Sequence, residues 1–501
     1  MLRGCLPERS FSRSGRGDNT RKMHANDPSE TQISLIIGSS VDQDTFDSFT
    51  IQQLSVFGLG KLGLPLAALF AQNGLRTVGI DVDIALVEKL RTGKIPLLEP
   101  GLEALLAAAA PKINYTTDAR AAADTDASII VVSTPYDSSR AALSSTSVEE
   151  ACSELCAALR ERTPWRYHLV IISSTVLPGA MSTRIIPALE KGFGRRAGAE
   201  FGIAYVPEFA ALGEVVSGLQ RPPFLLIGSD DARAGARAAA LYGRIVGDRT
   251  PPRFLSIQDA ELTKIALNVF LCLKISFGNL LAQFGDRLGG ADLDIIANTL
   301  ALDPRIGSGL LRGGTPYGGP CLPRDVDSFL HLSRALALDA PLARALPDVN
   351  NAQYDLIERH VLACQPRCVA VLGLSFKPGT AVTTASPAFE FVRRLQARLI
   401  EIVVFDPISE AREAAIATFG STISSCDTLD ESLRRADVIL ICNPDPDFVA
   451  ISAAIPADRH IVDPWGCVQG PHPGLKRPGR LPVHKARGDQ PQLIPTSSAV
   501  R

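Results

Sequence analysis

From Gln53 onward the apolar positions fall into two rhythms. Short runs rich in β-branched residues, at 54–57, 77–80, 128–132 and 168–173, alternate with longer amphipathic segments. This predicts βαβ units in a parallel, doubly wound sheet. Strand-like runs at 203–206 and 224–228 extend the first domain to about residue 250, and 248–252 reads as a linker. Between 258 and 287 the apolar residues recur at helical spacing with no interior proline, predicting a helix far longer than average. Such helices commonly bridge domains and build dimer interfaces. Past Pro366 the alternation resumes, with strands expected at 368–373, 401–405, 437–442 and 460–463, so a second α/β domain follows and ends near Trp465.

The expected organisation is an extension at 1–50, a first α/β domain at 51–250, a central helical domain at 251–350, a second α/β domain at 351–470 and a loose tail at 471–501. The first fifty residues are rich in Arg, Ser, Asp and Thr without periodicity and lack the apolar run of a secretory signal, so they read as disordered or as an upstream extension, with Met23 a candidate start. The tail, dense in Pro, Gly and Arg, reads as loose.

Composition narrows the function classes. A formal charge of -2, from 51 basic and 53 acidic residues, offers no global attraction for nucleic acid or an anionic membrane. The apolar runs noted here are strand-length, so no membrane span is expected. Ten cysteines without a CxxC pair suit a reduced, cytoplasmic setting. Cys152/Cys156 and Cys364/Cys368 have i,i+4 spacing but no histidine placed as a third ligand, so no metal site is expected.

Three groups of residues carry candidate chemistry. Gly58-Leu-Gly60-Lys61-Leu62-Gly63 follows a strand and opens a helix, and Asp81 ends the next strand. That context is the dinucleotide fingerprint, in which backbone amides approach a pyrophosphate and the acid accepts from a ribose hydroxyl. An acid there repels a 2'-phosphate, which favours NAD over NADP. Residues 305–325 read RIGSGLLRGGTPYGGPCLPRD, placing Cys321 after a glycine pair, among arginines and four residues before Asp325. Taken alone, Cys321 is equally compatible with an activated thiolate and with buried filler. In the long helix Glu261, Lys264 and Asn268 share a stripe, which reads either as a working set or as a solvated face with an ion pair.

In order along the chain stand Gly58-x-Gly60-x-x-Gly63, Glu99-Pro-Gly101, Ser133-Thr134-Pro135, Ser174-Thr175-Val-Leu-Pro-Gly179, Pro207-Glu208-Phe209, Glu261-Leu-Thr-Lys264 with Asn268, Gly318-Gly-Pro-Cys321 with Asp325, and Leu372-Gly-Leu-Ser-Phe376-Lys377-Pro-Gly-Thr380. This succession, across about residues 53–465, resembles the UDP-glucose/GDP-mannose dehydrogenase family. The resemblance implies two Rossmann-like domains joined by a central helical dimerisation domain, with NAD on the first and the nucleotide of a sugar substrate on the last. It implies Cys321 as nucleophile, Lys264 and Asn268 as oxyanion stabilisers, Glu208 as acid/base, and Asp325 and Thr175 as holders of a catalytic water. It places Gly58, Gly60, Lys61, Leu62, Gly63, Asp81, Thr134 and Thr175 at the cofactor. Glu208, Phe209, Lys264, Asn268, Arg305, Gly318, Phe376 and Lys377 fall at the substrate, with Arg305 reaching that of a partner subunit in a homodimer or higher oligomer.

The chain departs from the family pattern in places. Arg324 stands where a lysine is usual, Leu212 where many relatives place a second glutamate, residues 380–387 lack the usual acids and arginine, and Asp463-Pro-Trp465-Gly466 lacks the arginine often found near that strand end in the family. UDP-glucose is the first substrate expected, with a UDP-N-acetylhexosamine or GDP-mannose as alternatives. From other classes, a catalytically silent nucleotide-sugar-binding paralogue and a two-electron hydroxyacid dehydrogenase remain open.

Overall fold

The computed structural model describes residues 51–481, apart from Pro96, Ser138, Arg140, Ala141 and Glu161. The extension expected at 1–50 lies outside them. The first sheet has eight strands: β1 (Gln53–Phe57), β2 (Arg76–Ile80), β3 (Ile113–Thr116), β4 (Ala127–Ile130), β5 (Leu169–Ile172), β6 (Gly202–Tyr205), β7 (Leu225–Gly228) and β8 (Pro252–Leu255), in the order β8-β7-β6-β5-β4-β1-β2-β3. Its central strands are covered on both faces, so they carry continuous apolar runs. In β5, Leu169 and Ile171 enter one core while Val170 and Ile172 enter the other. Helix α1 (Gly63–Gln72) follows β1, and α2 (Ala232–Val246) crosses from β7 to β8.

Helix α3 (Ile257–Leu288) runs 32 residues, started by Ser256, whose Oγ accepts from the Asp259 amide, and stopped by Gly289 at φ 66°. Helices α4 (Leu322–Ala335) and α5 (Leu346–Leu362) pack along it. The second sheet takes β9 (Cys368–Leu372), β10 (Glu401–Phe405), β11 (Ser424–Ser425), β12 (Val438–Ile441), β13 (His460–Val462) and β14 (Leu475–Lys476), in the order β11-β10-β9-β12-β13-β14, with every pairing parallel. Helix α6 (Pro387–Gln396) packs on β9 and β10.

Five expectations need correction. The first sheet is parallel except where β7 meets β6 antiparallel, through Tyr205 and Gly228. The chain turns back at the edge where β6 ends, so no crossover is required, and residues 206–214 stay at that edge. The supposed linker at 248–252 runs into β8, so the first sheet continues to Leu255. A boundary at residue 350 would cut α5 in two; its Tyr354 rings against Phe391 of α6 at 5.1 Å, which makes it a bridge rather than a junction.

The tail is not loose over its first part. Leu475 and Lys476 pair with Ile461 and Val462, and beyond them Arg480 is nearly enclosed. Its guanidinium reaches Asp294 Oδ2 at 2.9 Å, Pro464 O at 2.6 Å and Arg312 O at 2.7 Å. Local composition misses this because every partner is distant in sequence. Finally, α3 is long and apolar enough to cross a membrane, contrary to the expectation from short runs. It packs within the fold on one side and exposes Phe270, Phe277 and Phe284, seven residues apart, on the other.

Candidate active site

The site begins at the end of β1. Gly58 turns at φ 93°, where a side chain would strike the Val131 carbonyl, and a Cβ on Gly63 would lie 1.9 Å from Gly58 O. The turn is therefore as tight as the start of α1 requires. At Gly60 the space is open, so the backbone there is free to meet a ligand. Asp81, at the end of β2, accepts from the Leu59 amide at 2.6 Å and the Asp83 amide at 2.9 Å and stays half-exposed. A dinucleotide fits this cradle: amides and the positive end of α1 face a pyrophosphate, and a fixed carboxylate stands ready for ribose hydroxyls. Thr134 is buried beyond the end of β4, across the crevice from the turn.

Helix α3 presents the next group. Glu261 is not solvated and does not pair with Lys264, which corrects the ion-pair alternative. Its carboxylate is 1% exposed and accepts from the Gly179 amide at 2.7 Å and the Met181 amide at 2.8 Å. It thereby pins the loop carrying half-buried Thr175. One turn on, Lys264 is buried, with Nζ 4.5 Å from the Phe209 ring centroid and donating to the main-chain carbonyl of Glu208. Burial pushes its ammonium below the ordinary lysine range, and Asp325 and Cys321 oppose that shift. Asn268 donates to Asp325 Oδ2 at 2.6 Å. Arg324 Nε meets the other oxygen at 2.9 Å, so the arginine in the usual lysine position orients this fully buried aspartate.

Cys321 is exposed and is the N-cap residue of α4, whose terminal amides favour a negative group. Cys321 also bears on Lys61 of the β1 turn, whose ammonium is lowered by partial burial, a shift that Cys321 opposes. Cys321, the β1 turn and the buried Lys264 thus share one electrostatic neighbourhood.

The second α/β domain holds the cysteine loop. A Cβ on Gly318 would lie 2.2 Å from Ala385 O, and one on Gly319, at φ 80°, would lie 2.6 Å from the Phe376 ring. The Gly319 amide donates to Ala385 O at 3.1 Å, Thr315 Oγ1 to Cys442 O at 3.3 Å, and Trp465 covers Gly314. Lys377 Nζ approaches Glu214 Oε1 to 3.9 Å, so Glu214 puts a carboxylate two residues beyond Leu212. Glu99 fixes that segment by accepting from the amides of Gly213 at 2.9 Å and Val215 at 2.6 Å.

Two expected site residues stand apart. The Glu208 carboxyl turns inward: Oε1 is buried without a partner, the Tyr242 hydroxyl faces it, and burial raises it to about 7 against the pull of Lys264. Arg305 is exposed and paired with Asp303 at 2.6 Å. Sequence reading missed Tyr242, Trp465 and Arg480, whose roles arise from contacts between distant segments.

Comparison with known proteins matches three domain families in succession. Residues 52–246 match the NAD binding domain of the UDP-glucose/GDP-mannose dehydrogenase family, 258–352 its central domain and 370–470 its UDP binding domain. The chain is 31% identical to a GDP-mannose 6-dehydrogenase of Azotobacter vinelandii over 430 residues, 82% of this chain and 96% of that one. It is 32% identical to a UDP-glucose 6-dehydrogenase of Haloferax volcanii over 420 residues, again 82% and 96%. Its fold is similar to a solved UDP-glucose dehydrogenase from Pyrobaculum islandicum, with a TM-score of 0.78, 30% identity, and coverage of 87% of this chain and 99% of that one.

Proposed function

Because this chain belongs to the UDP-glucose/GDP-mannose dehydrogenase family, whose first domain binds NAD, we propose that it oxidises the C6 alcohol of a nucleotide hexose to the carboxylate in two successive two-electron steps on one site. The observation that carries this reading is the meeting of Cys321 with Lys264, Asn268 and Asp325 beside the dinucleotide turn. Bound NAD accepts a hydride in each oxidation, one NAD being consumed per step. The residues supply everything else.

In the first oxidation the alcohol loses its hydroxyl proton to a base at the site, giving an aldehyde. The Cys321 thiolate adds to the aldehyde carbon, forming a C–S bond and a hemithioacetal oxyanion that takes up a proton. The second oxidation removes the C–H hydride and the hydroxyl proton, leaving a thioester. Water held near Asp325 and Thr175 then attacks the thioester carbonyl, the C–S bond breaks, and the thiolate and carboxylate separate. Lys264 and Asn268 stand where negative charge gathers on oxygen, and each such donor is worth on the order of 3 kcal/mol. Glu208 is the acid/base of the hydrolytic steps, a role its neutral-range carboxyl suits once it faces the substrate.

UDP-glucose, giving UDP-glucuronate, is the first substrate to try. Similarity does not choose it: the relatives named for GDP-mannose and for UDP-glucose match this chain at 31% and 32%. A UDP-N-acetylhexosamine is a third option. A catalytically silent role is not favoured, because Cys321, Lys264, Asn268 and Asp325 are all present and assembled. The stripe Phe270, Phe277 and Phe284 on α3 supports a homodimer through this helix rather than a membrane span; Arg305 would then reach across to the partner's substrate. Incubation with NAD and a panel of UDP- and GDP-sugars, with the acid identified by mass spectrometry, tests the reading. One sugar acid is expected, and binding of sugars without any oxidation would overturn it.

A further inference from the structure

Behind the substrate cleft, a chain of three buried groups joins the strand ends that carry Glu208 and Thr175. Ser173 follows the last residue of β5, two residues before Thr175, and its Oγ lies 3.0 Å from the Tyr242 hydroxyl. Tyr242 rises from α2, is 3% exposed, and is held edge-on by Phe70 with ring centroids 5.5 Å apart. Its hydroxyl in turn faces the Glu208 carboxyl across a small cavity of about 10 Å³, otherwise walled by apolar side chains such as Leu66, Phe209, Leu226 and Ile245. Glu208 Oε1 has no partner in that cavity. Among the described residues, the charged group bearing on this carboxyl is Lys264, on α3, which donates to the main-chain carbonyl of the same residue.

Resting on the proposed role of Glu208 as acid/base, we infer that Tyr242, backed by Ser173, is a positioning residue that holds Glu208 through a one-way chain of hydrogen bonds, Ser173 donating to Tyr242 and Tyr242 donating to the carboxyl. The polarity follows from chemistry. An ionised carboxylate only accepts, so the tyrosine proton must point at Glu208, and the tyrosine oxygen is left to accept from the serine. Burial holds the phenol far above its ordinary range, so it keeps that proton. Desolvation raises Glu208 to about 7, whereas the Tyr242 bond and Lys264 favour the ionised form. The chain therefore decides how much of Glu208 is ionised near neutrality, and it ties the acid/base to the loop that carries Thr175. Sequence periodicity marks Tyr242 only as a helix residue facing the core.

The sign of the effect is fixed. Removing the hydroxyl removes a donor to the carboxylate, so Glu208 in Tyr242→Phe must titrate at higher pH. The test has two readouts on the full-length protein. Infrared difference spectra against Glu208→Gln isolate the band of the protonated buried carboxyl, which needs no turnover. In Tyr242→Phe this band should persist to higher pH and move to higher frequency. In the pH profile of turnover the acid limb should move upward with it, giving about a tenfold deficit below the limb, the size expected for loss of one such bond, and a deficit that narrows as pH rises. Ser173→Ala should act in the same direction with a smaller effect.

A uniform loss at every pH, or an unmoved carboxyl band in a folded variant, would overturn the inference. If Tyr242→Phe does not fold, the Ser173→Ala band and limb decide by the same criterion. Should the wild-type protein oxidise no sugar, the proposed function fails, while the carboxyl band still decides whether Tyr242 holds Glu208.

Discussion

At the end of β1, Gly58 turns at φ 93° and the Leu59 amide donates to Asp81 at 2.6 Å; at the end of β9, Gly373 turns at φ 83° and the Leu374 amide donates to Asp406 at 2.8 Å. Each turn sits at its sheet's switch point, where the first strand has a neighbour on either side. Ligands in doubly wound sheets collect there. The two copies diverge at once. After Gly58, α1 begins at Gly63 and aims its positive end into the crevice; after Gly373, no helix begins until Pro387. Asp81 stays half-exposed, while Asp406 is 2% exposed and accepts also from Ser375 and Ile408 at 3.0 and 2.9 Å. The first crevice stays open for a dinucleotide. The second is filled by the protein's own cysteine loop, seated on Phe376, Ala385, Cys442 and Trp465. A shared fold thus supplies two similar crevices, and the segment after each turn decides how much of the crevice the protein itself fills.

The largest expected effect comes from unseating that loop. Gly319→Val puts a side chain against the Phe376 ring at a left-handed backbone position, and the displaced Cys321 should cost about a hundredfold in kcat, the usual penalty for an ångström of misplacement. The Kd for NAD, measured by fluorescence, should stay close to wild type because the first crevice is untouched.

The paired aspartates test the comparison itself. Asp406→Ala orphans three amides and should lose about 3 kcal/mol in denaturant unfolding, whereas Asp81→Ala should lose about 1 kcal/mol or less. The binding effects should reverse: a charge-assisted bond to ribose is worth about 1.5–3 kcal/mol, so NAD should bind Asp81→Ala roughly tenfold to a hundredfold more weakly. Equal stability losses would erase the distinction between a ligand-facing acid and a structural one.

The first crevice was legible in sequence because its signals are local. Glycines at fixed spacing and an acid at the next strand end need only a few neighbouring residues to be read, whereas Cys321 in its glycine-rich loop leaves two readings open. The filling of the second crevice was not legible, since Gly318 meets Ala385, and Gly314 meets Trp465, across long stretches of chain. The same holds for β14 and Arg480, whose Pro- and Gly-rich context suggests a loose tail. Strand β3, at a sheet edge with none of its positions fully buried, lacks the apolar run that marks β5. The inward turn of Glu208 depends on Tyr242, which the helix pattern presents as one more core position.

The smallest effect should come from Ala385, which holds φ 50° where it accepts from the Gly319 amide. Ala385→Gly should relieve that strain and raise stability by about 1 kcal/mol or less, without loss of turnover. A drop in stability would mean that the methyl group matters more than the backbone.

The most direct test of the central claim is the count of NADH formed per nucleotide sugar consumed, in the wild-type protein and in Cys321→Ser. Two NADH per sugar in the wild type, with no sugar acid formed by the variant, is the predicted result. A single NADH per sugar, or undiminished acid formation in Cys321→Ser, would contradict a double oxidation through a cysteine-bound thioester.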